Sequence, residues 1–369
     1  MPIITSVTAR VQPLQVRPPV GHISHIDNVV VTVETNDGVT GSGYSWLPDE
    51  RVDAAPAPYA TIRVVAHAVN ALAEFVVGQD VFGYERIWSA VAAHQVQTGE
   101  GLLTLAHSAI DIAVWDALGK TVGQPLHKLL GSARDAAPFY SNELLMHWRK
   151  SPDEVAEVAA GLVAAGHRGL KMPLAANPAE HESVDIVRIH QVREAVGPDI
   201  AMYVDAGARI PMDKVLRLAR QLDDVGLAWL EDPVPLEQIE NMRKIRREVA
   251  MPIAVGETVW RPNGFRRLLE GEAIDVAIFE PMRVGGITGA IKVAALTQAF
   301  DIPVAVHVYS DLSAQLTCAF PNAITGEYLP WWGELFVDPL RISDGKGKPS
   351  DEPGIGFTFA APSVGSGST

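Results

Sequence analysis

Apolar and polar positions follow two different rhythms along this chain, and the change falls near residue 136. In the first part, Val29 to Glu34 alternates with β-branched residues, and Asn36-Asp37-Gly38 supplies a turn into Val39 to Tyr44. That pattern predicts a β-hairpin. Apolar positions then recur at helical spacing over 59–77, 83–93 and 102–118. The last stretch contains Ala109-Ile110-Asp111-Ile112-Ala113-Val114-Trp115-Asp116, with Gly119 as its expected stop and Gln124-Pro125-Leu126 beyond. This part reads as a small α+β unit.

From about residue 136, short apolar runs recur, each closed by an ionisable residue and followed by a helix-like stretch. Arg168-Gly169-Leu170 ends on Lys171, Ala201-Met202-Tyr203-Val204 on Asp205, and Leu227-Ala228-Trp229-Leu230 on Glu231. Ile253-Ala254-Val255-Gly256 ends on Glu257, Val276-Ala277-Ile278-Phe279 on Glu280, Val304-Ala305-Val306 on His307, and Ala323-Ile324-Thr325-Gly326 on Glu327. Spacings of 34, 26, 26, 23, 27 and 20 residues suit repeated strand–helix units of a parallel sheet. A further strand at Pro138–Ser141 brings the number to eight, that of a closed barrel. Strand ends near polar loops would carry mixed Ser, Asn, Gly and charged residues. Here seven in succession are ionisable, as expected where catalytic groups converge on the C-terminal mouth of a barrel. The segment after residue 330 carries the turns Asp344-Gly345 and Pro353-Gly354 and is expected to fold back onto the N-terminal unit, with Ser363 to Thr369 loose.

Composition narrows the class. Of 369 residues, 47% are hydrophobic and 20% charged, which excludes a mainly disordered chain. The net charge of −14, with no basic run beyond Arg243-Lys244-Ile245-Arg246-Arg247, argues against a nucleic-acid partner. The single cysteine, Cys318, excludes an internal disulfide and cysteine-based zinc or iron–sulfur sites. No apolar run reaches the roughly 18 residues of a membrane span. Met1 to Val20 lacks a basic patch followed by an apolar core. A cytoplasmic protein without membrane contact is expected.

The strand ends also suggest chemistry. Asp205, Glu231 and Glu257 close three consecutive strands, and converging carboxylates repel unless a cation lies between them. Oxygen-only ligation suits a hard ion such as Mg2+. Glu280 and His307 close the next two strands, about 4.8 Å apart, so the acid can orient the imidazole as a general base. Metal plus base suggests removal of the proton α to a carboxylate. Of the other histidines only His22 and His25, in an N-terminal loop, invite attention.

These residues resemble the enolase superfamily, mandelate racemase-like subgroup, over nearly the whole chain. The likeness is carried by Ala109 to Gly131, Trp229-Leu230-Glu231-Asp232-Pro233, Gly256-Glu257, Arg283-Val284-Gly285-Gly286-Ile287 and Pro353-Gly354-Ile355-Gly356. The resemblance implies an α/β fold, a (β/α)7β TIM-like barrel at 131–329, with an N-terminal α+β capping domain at 1–130 completed by the 330–369 segment. It implies one Mg2+ on Asp205, Glu231 and Glu257, a His307–Glu280 dyad, Glu327 beside the substrate carboxylate, and a homo-oligomer acting on a small carboxylate such as an acid sugar.

Three positions depart from the family pattern. Where the second barrel strand usually ends Lys-x-Lys, this chain has Lys171-Met172-Pro173, so one face lacks a base unless Lys171 reaches over. The acid of the dyad is Glu280 instead of Asp. The usual Asp-x-Asn is Asp205-Ala206-Gly207. One base favours dehydration of a sugar acid to a 2-keto-3-deoxy acid. Epimerisation, racemisation or lactone cycloisomerisation, or a non-catalytic sugar-acid binder, are the alternatives. Residues 15–28 and 46–58, expected to read the substrate's hydroxyls, carry no diagnostic motif.

Overall fold

A computed structural model describes residues 1–20, 23–49, 60–147, 150–174 and 182–361. Its N-terminal sheet has the order β1-β2-β3, antiparallel, from β1 (Ile4–Val20), β2 (Ile23–Thr35) and β3 (Thr40–Asp49). The β2–β3 hairpin is the expected one. β1 was not legible, because Pro13 and a weak alternation break the strand pattern. Pro13 is tolerated because β1 is an edge strand, where a missing N–H leaves no inner ladder bond unmade.

Helix Leu102–Val122 packs on β3 at very short range. A Cβ at Gly41 or Gly43 would strike the helix carbonyls of Ala113 and Ala109, so the strand can lie there only as Gly-Ser-Gly. The helix does not stop at Gly119. It runs to Val122 and ends at Gly123 in the left-handed region (φ 66°), the usual helix-terminating geometry. Gly119 instead makes room for the C-terminal segment, since a Cβ there would lie 2.6 Å from Gly354 Cα. Contrary to the sequence expectation, this 21-residue helix is long and apolar enough to span a membrane, with mean hydropathy 1.3. It is the core helix of the cap instead: 89% of its most apolar stretch is buried by the fold, and Asp111 and Asp116 are buried within it.

Eight parallel strands follow: β4 (Ala137–Ser141), β5 (Gly169–Pro173), β6 (Ala201–Asp205), β7 (Trp229–Glu231), β8 (Ile253–Val255), β9 (Val276–Phe279), β10 (Val304–Val306) and β11 (Ala323–Tyr328). Each pairs with the next, and β11 pairs with β4, closing the barrel. Helices cross between successive strands. The first, Pro152–Ala164, starts at a capping box in which Ser151 and Glu154 satisfy each other's backbone N–H groups. Tyr140, Tyr203 and Trp229 fill the interior beneath β4, β6 and β7, with ring centroids 4.2 to 5.5 Å apart.

The C-terminal segment touches both units. Ile342–Ser343 and Lys346–Gly347 form a small hairpin that adds to β4. Phe336, Phe357 and Phe359 surround Tyr44 of β3. Asp116 joins three pieces of chain: its carboxylate accepts from Ser42 N, Ile355 N and Lys120 Nζ at 2.7 to 2.9 Å. Gly354, at φ 83°, lies against that carboxylate, and a Cβ there would collide with it. Gly354→Ala is therefore expected to lower stability by more than about 1 kcal/mol, read as a fall in Tm. An unchanged Tm would refute this account of the Pro-Gly-Ile-Gly motif.

Candidate active site

The predicted strand-end residues gather at one mouth of the barrel, with two corrections. β5 runs through Lys171 to Pro173, so Lys171 lies inside the strand and not at its end. Its side chain is 1% exposed. Glu327 likewise lies within β11.

Lys171 Nζ stands 2.8 Å from Glu231 Oε1, 3.4 Å from Asp205 Oδ2 and 3.5 Å from Glu327 Oε1. Burial alone would lower the ammonium's pKa. Glu231, Glu327, Tyr140 and Asp205 outweigh it and hold Lys171 charged, well above the usual range. Trp229 Nε1 donates to the other oxygen of Glu231 at 3.0 Å, and Asn142 Nδ2 donates to Glu327 Oε1 at 2.6 Å.

His307 occupies the other side. Its Nε2 is 2.9 Å from Glu257 Oε2 and 3.3 Å from Glu327 Oε2. Burial disfavours the imidazolium, but Glu327 and Glu257 more than compensate and raise its pKa well above the usual value. The same pairing works in reverse on Glu257: burial pushes its carboxyl up, and His307 and Lys171 pull it below the usual range. Two residues after His307, Val308 and Tyr309, are left-handed at φ 50°. Left-handed geometry is strained for a β-branched residue. It turns Val308 N toward Glu327 Oε2, 3.3 Å away.

Glu280 lies behind the imidazole, fully buried, with Oε2 at 3.4 Å from His307 Nδ1. This is ion-pair distance, longer than the 2.6–3.2 Å expected of a direct hydrogen bond. The same oxygen is 3.1 Å from Arg283 Nε. The extra methylene of Glu relative to Asp is taken up by that shared arrangement.

The sequence expected three carboxylates facing one ion. Oxygens of Glu231 and Glu257 lie with a His307 nitrogen within 4.8 Å of one another, while Asp205 approaches Glu231 across the Lys171 ammonium. Like charges this close need compensation, and Lys171 and His307 provide it. The donor set fits a hard divalent cation: carboxylate oxygens on three neighbouring strands, with Asp232 as a further buried acid beside them. Burial, Glu257 and Asp205 push the Asp232 carboxyl well above the usual range.

Gly207 has φ 58° and donates its N–H to Asp205 Oδ1 at 2.8 Å. A backbone donor thus stands near Asp205 where the family pattern has an Asn amide. Pro173 has no N–H, and the pairing resumes at Leu174 N, which donates to Asp205 O at 2.6 Å. Asn142 and Asp232 were not singled out from the sequence, whereas Arg283 was the alternative partner expected for Glu280, and it shares that carboxylate with His307. Asp232 and Arg283 sit inside quoted motifs, whereas Asn142 follows β4 with no motif around it. His22, the side chain of His25, and residues 50–58 lie outside the described residues.

A closed barrel with an antiparallel cap, and acids, lysine and histidine at one mouth, define the enolase-type architecture. The family described as mandelate racemase / muconate lactonizing enzyme, N-terminal domain, matches residues 3–131, and enolase C-terminal domain-like matches 154–363. The chain belongs to this family. An L-talarate/galactarate dehydratase of Salmonella typhimurium is 28% identical over 92% of this chain and 82% of its own. A D-xylonate dehydratase of Haloferax volcanii is 30% identical over 90% of this chain and 83% of its own. The crystal structure of L-talarate dehydratase from Polaromonas sp. JS666, complexed with Mg and L-glucarate, superposes with a TM-score of 0.87 at 26% identity, covering 98% of this chain and 96% of that one.

Proposed function

We propose that this chain is a Mg2+-dependent hydro-lyase that dehydrates a sugar acid to a 2-keto-3-deoxy acid, a step of acid-sugar catabolism. The observation that carries the reading is the asymmetry of the mouth. His307 faces it on one side, 9% exposed and backed by Glu280, and the opposite family position is Pro173, which has no proton to transfer.

Asp205, Glu231 and Glu257 would hold Mg2+, which supplies positive charge against the substrate carboxylate and makes its α-proton more acidic. In its neutral form His307 takes that proton on Nε2. Glu280, on Nδ1, stabilises the charge the ring gains. The electrons of the broken C–H bond form the new double bond, the β-carbon–oxygen bond breaks, and His307 returns its proton to the leaving hydroxyl so that water departs. The enol then tautomerises to the 2-keto product. Lys171 and Glu327, the latter held by Asn142, position the substrate carboxylate. Lys171 is 1% exposed and engaged by three carboxylates, which suits it to positioning and opposes two-base racemisation.

The test is a panel of C5 and C6 sugar acids with Mg2+, assayed for a 2-keto product by carbonyl derivatisation, with α-proton exchange followed in deuterium oxide. A keto product is expected, and exchange is expected to persist in Lys171→Ala. Inversion at the α-carbon without keto product, lost in Lys171→Ala, would replace this reading by an epimerase. No exchange on any acid would leave a non-catalytic binder. A cytoplasmic homo-oligomer is part of the same proposal, its assembly read by light scattering.

A further inference from the structure

We propose that Arg283 is a positioning residue for the base: it acts through Glu280, holding that carboxylate behind His307. This rests on the reading of His307 as the base. Glu280 is fully buried, and among the described residues its Oε2 has two basic neighbours: Arg283 Nε at 3.1 Å and His307 Nδ1 at 3.4 Å. A buried carboxylate facing only a neutral imidazole would be strongly disfavoured, because burial removes its hydration and the ring offers no charge in return. The guanidinium supplies that charge.

Arg283 is itself fixed. Its Nη1 donates to the backbone carbonyl of Glu257 at 3.0 Å, and its guanidinium carbon lies 5.6 Å from the centre of the Trp260 ring. The carbonyl belongs to the residue whose side chain meets His307 Nε2 at 2.9 Å. One guanidinium therefore ties the backbone of the loop after β8 to the acid after β9, and the side chains of the two residues it touches, Glu257 and Glu280, lie on opposite nitrogens of the same imidazole. The fork of an arginine can do this, whereas the single ammonium of a lysine cannot make both contacts in fixed directions. The arrangement also accounts for Glu in place of the shorter Asp: Oε2 sits where both Arg283 Nε and His307 Nδ1 reach it. Arg283 follows Glu280 by three residues on the short helical turn Pro281–Val284, which puts the two side chains on one side of the chain.

The test is a double-mutant cycle on the full chain with Mg2+, measuring kcat and KM for the 2-keto product, and Tm. Arg283→Gln is expected to lower kcat about tenfold with KM nearly unchanged. In the Glu280→Gln background, already impaired, the same change is expected to cause less than about a twofold further loss. In Glu280→Asp, whose shorter acid no longer reaches both Arg283 and His307, removing Arg283 is likewise expected to matter little. Arg283→Lys should recover part of the loss. Equal losses in all backgrounds, no loss in the wild-type background, or failure of both the Gln and Lys variants to fold would overturn the proposal. If instead His307→Asn retained wild-type turnover, the reading of the base would fail, separately from this inference.

Discussion

His307→Asn is expected to abolish the 2-keto product and α-proton exchange together, with turnover falling by about a thousandfold or more. Asn keeps a polar group of similar size near Glu257 and Glu327 but accepts no proton at neutral pH. Substrate binding should survive, because Lys171 and Asn142 with Glu327 remain in place. The fold should survive too, because barrel stability comes from the packed interior below the mouth, here Tyr140, Tyr203, Trp229 and the small residues around them. Exchange is measured by loss of the α-proton signal in deuterium oxide. Exchange at the wild-type rate in this variant would remove His307 from the chemistry, whatever happened to the keto product.

Removal of a proposed metal carboxylate is expected to be as severe. Glu257→Gln should reduce turnover to background while leaving the barrel folded, and chelation of the wild-type chain should abolish turnover until Mg2+ is restored. Glu231→Gln should be equally inactive but less stable. It takes away the carboxylate 2.8 Å from the fully buried Lys171 ammonium, a loss of about 1–3 kcal/mol only partly relieved by Asp205 and Glu327. The contrast between the two variants is itself a check on the role of Lys171. Wild-type turnover in either variant, or after thorough chelation, would exclude the ligand assignment.

Much of the site is legible in the sequence, because a parallel barrel turns sequence spacing into spatial convergence. Short apolar runs every 20 to 34 residues place their terminal side chains at one mouth, and Asp205, Glu231, Glu257, Glu280 and His307 all reach it. The Asn-Asp-Gly hairpin was equally legible, because a turn is a local property. β1 was not, because its place depends on lying at the edge of a sheet, where Pro13 is harmless.

What the sequence by itself determined is therefore the type and order of the groups at the mouth, together with the strands that carry them. Periodicity and strand-end position are properties of a few adjacent residues. Only the tertiary structure decided which groups face one another. It turned Lys171 inward onto three acids and had Glu280 shared between His307 and Arg283. It used Gly119, an apparent helix stop, to admit Gly354. Such contacts join residues far apart in the chain, 239 positions for Asp116 and Ile355. They depend on side-chain reach and backbone approach to within a few tenths of an ångström, a scale on which packing between elements governs and local sequence pattern carries no information.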